Sequence, residues 1–127
     1  MANGTIAFDT LSTSGQITGT AKSVDTDYLL NGSAKVWVNY KTAATFVNND
    51  SFNVASITDE DAGQALHNFT NAMANANFAY VGMSNDISSG ASTTNKTTST
   101  CRQHSYNASN ASTDTNENNT IVTGELA

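Results

Sequence analysis

A chain of 127 residues is one domain's length, and at 38% hydrophobic its single core has to be thin, so association would help it. Charged residues make up only 13%, against about 25% in ordinary globular proteins, so its Asn-, Ser- and Thr-rich surface is polar without being ionic. A net charge of -6, with five scattered basic residues, argues against nucleic acid as a partner, because such binders draw their affinity from clustered Lys and Arg.

In chain order, Thr5 to Leu11 alternates weakly, with Ile6 and Phe8 on one side, and stops at Ser12-Thr13-Ser14-Gly15. Gln16 to Ala21 is rich in Gly and Thr with a single Ile17 and buries little. Residues 1–21 are therefore expected to form an extended N-terminal arm or edge strand, with Ile6, Phe8 and Leu11 as the apolar residues of an anchor, and 22–127 a single β domain. Met1-Ala2-Asn3-Gly4 has neither a basic region nor a long apolar run, which predicts no signal peptide and no membrane insertion. The Asn-x-Ser/Thr triplets, such as Asn68-Phe69-Thr70, are then a by-product of composition.

Val24 to Leu30 leads into Asn31-Gly32, a tight-turn dipeptide placed directly before Lys35-Val36-Trp37-Val38-Asn39-Tyr40, so a hairpin is expected there. The Lys35–Tyr40 stretch crowds β-branched and aromatic residues around the chain's only tryptophan and reads as a strand. Thr42 to Val47 and the turn residues Asn48-Asn49-Asp50 predict a second hairpin. In Ser51 to Thr58 the apolar positions run through Phe52 and Val54 and then shift phase to Ala55 and Ile57, which predicts a bulge or bend. Asp59-Glu60-Asp61-Ala62-Gly63 is an acidic turn, after which Ala65, His67 and Phe69 resume an alternation. Asn71 to Asn77 is expected to be a loop despite its alanines, and Phe78-Ala79-Tyr80-Val81 a strand. Ser84 to Lys96 offers little to bury and is expected to be a long loop. Strands are expected over Thr97–Tyr106 and Asn119–Leu126, separated by an Asn- and Ser-rich segment. The count is about eight strands and no helix, an all-β antiparallel sandwich or jelly-roll-like domain. With no proline in the chain, strand edges lack that protection, and subunit contact would cover them.

Val36-Trp37-Val38-Asn39-Tyr40, Ser51-Phe52-Asn53-Val54-Ala55-Ser56-Ile57-Thr58-Asp59, Gly63, Asn68-Phe69-Thr70, Ala72-Met73 and Ala76-Asn77-Phe78-Ala79, in that order, resemble a domain found in tail fibres and related small virion proteins of tailed bacteriophages, marine ones especially. The likeness spans Asn31 to Gly82. Where that family has a glycine-rich turn, a Tyr-Thr-Val-Asn-Phe run and a proline after the methionine, this chain has Lys41-Thr42-Ala43-Ala44, Ala65-Leu66-His67-Asn68-Phe69 and Met73-Ala74. The resemblance implies a virion structural protein, a tail fibre or fibre-tip domain active in host attachment, assembled as a homotrimer with other virion proteins as neighbours. A capsid decoration or head-fibre protein is the alternative, and a carbohydrate-binding module unconnected with virions is the alternative of another class.

Chemistry-bearing residues are sparse. The lone Cys101 cannot form an internal disulfide and is expected to be a small buried or half-buried residue. His67 and His104 lack a second ligand at zinc-binding spacing, and His67 is expected to be a structural histidine of the core or an intersubunit seam. Asp59, Glu60 and Asp61 lack the distal glutamate of a calcium loop and are expected to be a solvated turn. No nucleophile elbow or phosphate-cradling loop is present, so no enzyme activity, catalytic residue, metal or cofactor is expected. Trp37, Tyr40, Phe52, Val54, Ile57, His67, Phe69, Phe78 and Tyr80 are expected in the core or at a subunit interface. Flat rings such as Trp37, Tyr40, Tyr80 and Tyr106 are also what a sugar-binding face uses. The polar loops carrying Asn85, Asn95, Asn107 and Asn110 are the candidates for contact with a host surface glycan or protein.

Overall fold

The computed structural model of the chain describes residues 16–18, 23–85 and 88–127. They contain β1 (Gln16–Thr18), β2 (Ser23–Asp25), α1 (Thr26–Gly32), β3 (Ala34–Lys41), β4 (Val47–Phe52), β5 (Val54–Asp61), β6 (Gln64–Phe69), β7 (Ala79–Ser84), β8 (Ser88–Thr97), β9 (Thr100–Tyr106) and β10 (Asn118–Thr123). β1 and β2 form a two-stranded ribbon; the other eight strands make a front sheet in the order β4-β3-β10-β7 and a back sheet in the order β5-β6-β9-β8. Every pairing is antiparallel. The anchor residues Ile6, Phe8 and Leu11 lie outside the described residues.

Strand alternation decides what is buried. In β3 the side chains of Val36, Val38 and Tyr40 turn inward and Trp37 turns out. From the back sheet, β6 sends in Ala65, His67 and Phe69, and β9 sends in Cys101, Gln103 and Ser105. Val36 and Val122 of the front sheet pack in one cluster with Phe69 and Cys101 of the back sheet and with Met73 and Phe78 of the crossover between them. Val38, Tyr40 and Ala65 form a second cluster, flanked by Phe46, Val54 and Ile57. The sheets thus share one core.

That core contains a polar layer. Thr120 bonds Gln103, Gln103 Nε2 donates to the Met83 carbonyl at 3.2 Å, and Ser105 Oγ donates to Asn118 Oδ1 at 2.9 Å. Buried hydroxyls and amides cost free energy unless paired, and these pairs link β9 to β7 and β10 across the two sheets. His67, fully buried, sets its ring edge against Tyr40 at 4.9 Å and its Nδ1 3.6 Å from Cys101 Sγ.

The phase shift in Ser51–Thr58 has two physical causes. Asn53 takes a left-handed conformation (φ 58°), which carries the chain from β4 in the front sheet to β5 in the back sheet. The register then slips between Val54 and Ser56, a bulge that lets both Val54 and Ile57 face inward. The acidic turn closes the β5–β6 hairpin through Gly63, also left-handed (φ 67°).

Three local expectations fail. Asn48, Asn49 and Asp50, expected to turn the second hairpin, lie inside β4, and the connection from β3 falls earlier, at residues 42–46. Instead of a hairpin at Asn31-Gly32, the chain forms α1 with Asp27 in its first turn, where a carboxylate suits the helix dipole. Ser33 Oγ and Lys35 Nζ donate to the Leu29 carbonyl at 2.6 and 2.9 Å, satisfying an otherwise orphaned helix end. Asn31-Gly32 thus stops a helix instead of turning a hairpin. The expected loop over Ser84–Lys96 is largely β8, an edge strand whose backbone pairs with β9 from Ser88↔Tyr106 to Ser92↔Arg102. Here the neighbouring strand supplies what the local sequence does not.

A Cβ at Gly63 would lie 2.5 Å from the Ser105 carbonyl and 2.6 Å from that of Thr113. Gly63→Ala therefore combines a clash with a strained backbone and is expected to lower the unfolding free energy by about 3 kcal/mol in urea titrations.

Candidate interaction surface

The outer face of the front sheet carries a row of apolar side chains, one from each strand. Ile121 of β10 pairs with Val81 of β7 on one side and with Trp37 of β3 on the other, and Trp37 pairs with Phe52 of β4. All four are exposed in the chain: Val81 59%, Ile121 46%, Trp37 37% and Phe52 53%. Met83 and Val47 extend the patch at its margins. Beside the row runs an amide ladder in which Asn49 Nδ2 donates to Asn39 Oδ1 at 2.7 Å and Asn39 Nδ2 to Asn119 Oδ1 at 2.7 Å. The face is therefore an apolar band with a hydrogen-bonding margin.

The outer face of the back sheet is chemically different. Arg102 Nη1 lies 3.0 Å from Glu60 Oε2 and donates to Gln64 Oε1 at 3.1 Å, while Asn95 Nδ2 donates to the same glutamate at 3.3 Å. Next to them, Tyr106 Oη lies 2.8 Å from His104 Nδ1, and His104 Nε2 lies 2.7 Å from Ser112 Oγ. Partial burial and the Arg102 guanidinium hold His104 below its usual pKa, with Asp61 opposing them. A neutral imidazole offers one donor and one acceptor. Serine, histidine and a third orienting group are the parts of an activated nucleophile, but such chemistry also needs N–H groups to hold an oxyanion. Around Ser112, the Ser109 and Ala111 N–H groups are bound to Asn107 Oδ1 and that of Thr113 to the Ser105 carbonyl. The arrangement works as a clasp that fastens the 107–117 connection to β9.

That connection closes one end of the sandwich. Thr115 N donates to Thr42 Oγ1 at 2.8 Å, Gly63 N to Asp114 Oδ1 at 2.7 Å, and Asn85 N to the Glu117 carbonyl at 3.0 Å. At the opposite end, a cleft of about 260 Å³ is lined by Asn31, Asn75, Asn77, Phe78, Gly124 and Glu125.

Of the residues singled out from sequence, Tyr40, His67, Phe69 and Phe78 are buried, Val54, Ile57 and Tyr80 are half-buried, and Trp37 and Phe52 stand on the outer face. The asparagines named for host contact have structural bonds. Asn107 caps its own turn, Asn110 is left-handed at φ 58°, Asn85 Oδ1 accepts from Glu117 N, and Asn95 lies on β8 and is bound to Glu60. Glu60 pairs with Arg102, and Asp61 Oδ1 accepts from Ala62 N; among the described residues no three metal-ligating side chains converge. Sequence reasoning did not single out Val81, Met83, Asn119 or Ile121. Their alternation with Tyr80, Gly82, Thr120 and Val122 was the available signal.

Burial pushes the Cys101 thiol up to about 12, raises the Tyr40 phenol above its ordinary value and draws His67 down from 6.5 to about 4. Between those two His67 values the unfolded chain binds a proton that the folded chain refuses. Stability is therefore lost as pH falls from 6.5 toward 4, by up to about 3 kcal/mol. Urea titrations are expected to show wild type losing about 3 kcal/mol more unfolding free energy than His67→Leu between pH 6.5 and 4. His104→Ala is expected to speed amide exchange at 107–113 at least tenfold and leave β3 and β10 protected. Compared with protein-family models, curated proteins and solved structures, the chain matches none.

Proposed function

We propose that this chain is a structural protein of a tailed-phage particle, a tail-fibre or fibre-tip domain that assembles as a homotrimer and acts in host attachment by adhesion. The observation that carries the reading is the resemblance over Asn31–Gly82, together with the structural tasks its residues perform. Val36-Trp37-Val38-Asn39-Tyr40 lies within β3, Asn53 makes the passage between sheets, Gly63 turns the acidic hairpin, and Met73 and Phe78 enter the core. A likeness concentrated at such positions concerns the frame of the domain.

The surface chemistry supports an assembled, adhesive protein. One outer face is an apolar band edged with amides, the chemistry of a contact between copies, and the cleft lined by Asn31, Asn75, Asn77 and Glu125 offers amides and a carboxylate to a hydroxylated ligand. A host surface glycan or protein is the target in this reading. Copies held together on one particle turn a weak site into firm attachment, because each further contact is intramolecular.

Gold-labelled antibody against the chain, applied to particles whose genome encodes it, is expected to mark tail tips in electron micrographs. Label confined to heads would replace the tail-fibre reading with capsid decoration, and particles without label would overturn the virion reading.

A further inference from the structure

We infer that the outer face of the front sheet is the seam between copies of this chain, with the Val81–Ile121–Trp37–Phe52 row at its centre. The inference rests on the reading that copies assemble, and adds to it where they meet. The first argument is segregation. Six of the ten large hydrophobic side chains most exposed in the described residues, Trp37, Val47, Phe52, Val81, Met83 and Ile121, stand on β3, β4, β7 and β10. The back sheet contributes none of the ten.

The second argument is area. Taking roughly 150–200 Å² for each side chain fully exposed, and exposures from 37% to 68%, the six present on the order of 500 Å². This is near the upper end of the largest apolar patch on an ordinary monomer, about 300–600 Å². A standard interface buries about 800 Å² per partner; with the amide margin filling the remainder, about 60% of such a surface would be apolar, close to the ~65% of homodimer interfaces.

The third argument is charge. The chain carries -6 overall, which opposes self-association, yet on this face two lysines, Lys35 and Lys41, stand with two carboxylates, Asp50 and Glu117. A second copy meets a locally neutral surface on which Lys41 can face a carboxylate, while Lys35 Nζ is held at the end of α1. Asn39, Asn49 and Asn119 each carry a donor and an acceptor, so the ladder can bond a copy of itself. The row is also graded from aliphatic, at Val81 and Ile121, to aromatic, at Trp37 and Phe52, so one half of it fits against the other half of a neighbour.

Size-exclusion chromatography with light scattering on the intact chain tests this. Wild type is expected at a multiple of 13.3 kDa, Ile121→Lys at a single chain's mass with its β-sheet circular dichroism retained, and Thr58→Lys on the back sheet at the wild-type mass. Trp37, the only tryptophan, reports on wild type directly. Its emission is expected to shift to the red as dilution separates the copies while circular dichroism stays constant, a readout that holds even if Ile121→Lys does not fold. A multimer that survives Ile121→Lys, dissociation that leaves Trp37 emission unmoved, or a wild type of single-chain mass at every concentration would each overturn the seam. Particle labelling decides the virion reading separately.

Discussion

At Asn53 the backbone turns left-handed and the chain leaves the front sheet for the back. The side chain holds the corner together: Nδ2 donates to the Lys35 carbonyl at 3.1 Å and to that of Asn71 at 3.2 Å, and Oδ1 accepts from Asn71 N at 2.7 Å. One residue thus ties the start of β3 to the crossover that follows β6. The corner also resets the alternation, since Phe52 before it faces outward and Val54 after it faces inward. Asparagine suits the position because it tolerates the left-handed region and supplies both donor and acceptor.

What this frame encloses is a mixed core. Apolar packing from Val36, Phe69, Met73, Phe78, Cys101 and Val122 occupies one part, and the layer of Tyr40, His67, Gln103, Ser105, Asn118 and Thr120 occupies another. Directional polar contacts specify one register, whereas apolar contacts tolerate slippage; here they outweigh the cost of His67 Nε2 and Asn118 Nδ2, which are buried without a hydrogen-bond partner among the described residues. In a chain with so few large hydrophobic residues, the pairing of Ser105 with Asn118 and of Gln103 with Thr120 fixes how one sheet lies on the other. The aromatic contacts of Phe69 with Phe78, and Lys96 Nζ 4.5 Å from the Phe78 ring, secure the apolar part.

The strand frame was legible where side-chain type and period agree. Val36 to Tyr40 crowds β-branched and aromatic residues, and Asp59 to Gly63 joins turn-forming acids to a glycine, so β3 and the β5–β6 hairpin followed from local chemistry. Which face of β3 lies inside was written in the alternation, with Val36, Val38 and Tyr40 on one side and Lys35, Trp37, Asn39 and Lys41 on the other, but Trp37, the largest apolar residue of the strand, sits on the polar side and masks it. The same alternation recurs in β10, whose Thr120 and Val122 complete the inner face and whose Ile121 completes the outer row. α1 was hidden because Asn-Gly serves equally as a hairpin turn and a helix stop. β8 was hidden because Ser, Gly and Ala carry almost no strand preference of their own. The clasp of His104 by Ser112 and Tyr106 joins residues whose proximity depends on the path of the 107–117 connection.

Among the described residues β10 is the last of ten strands in sequence and central in the front sheet, with Asn119 standing against Asn39, 80 residues earlier. The β3–β4 hairpin can form locally, but until β10 arrives the front sheet is two fragments with facing, unpaired backbone edges. Closing so long a loop comes late and slowly in folding. An open slot of this kind accepts the corresponding strand of another chain as well as its own. The sandwich is therefore complete only when the last strand has entered the slot that the earlier ones leave for it.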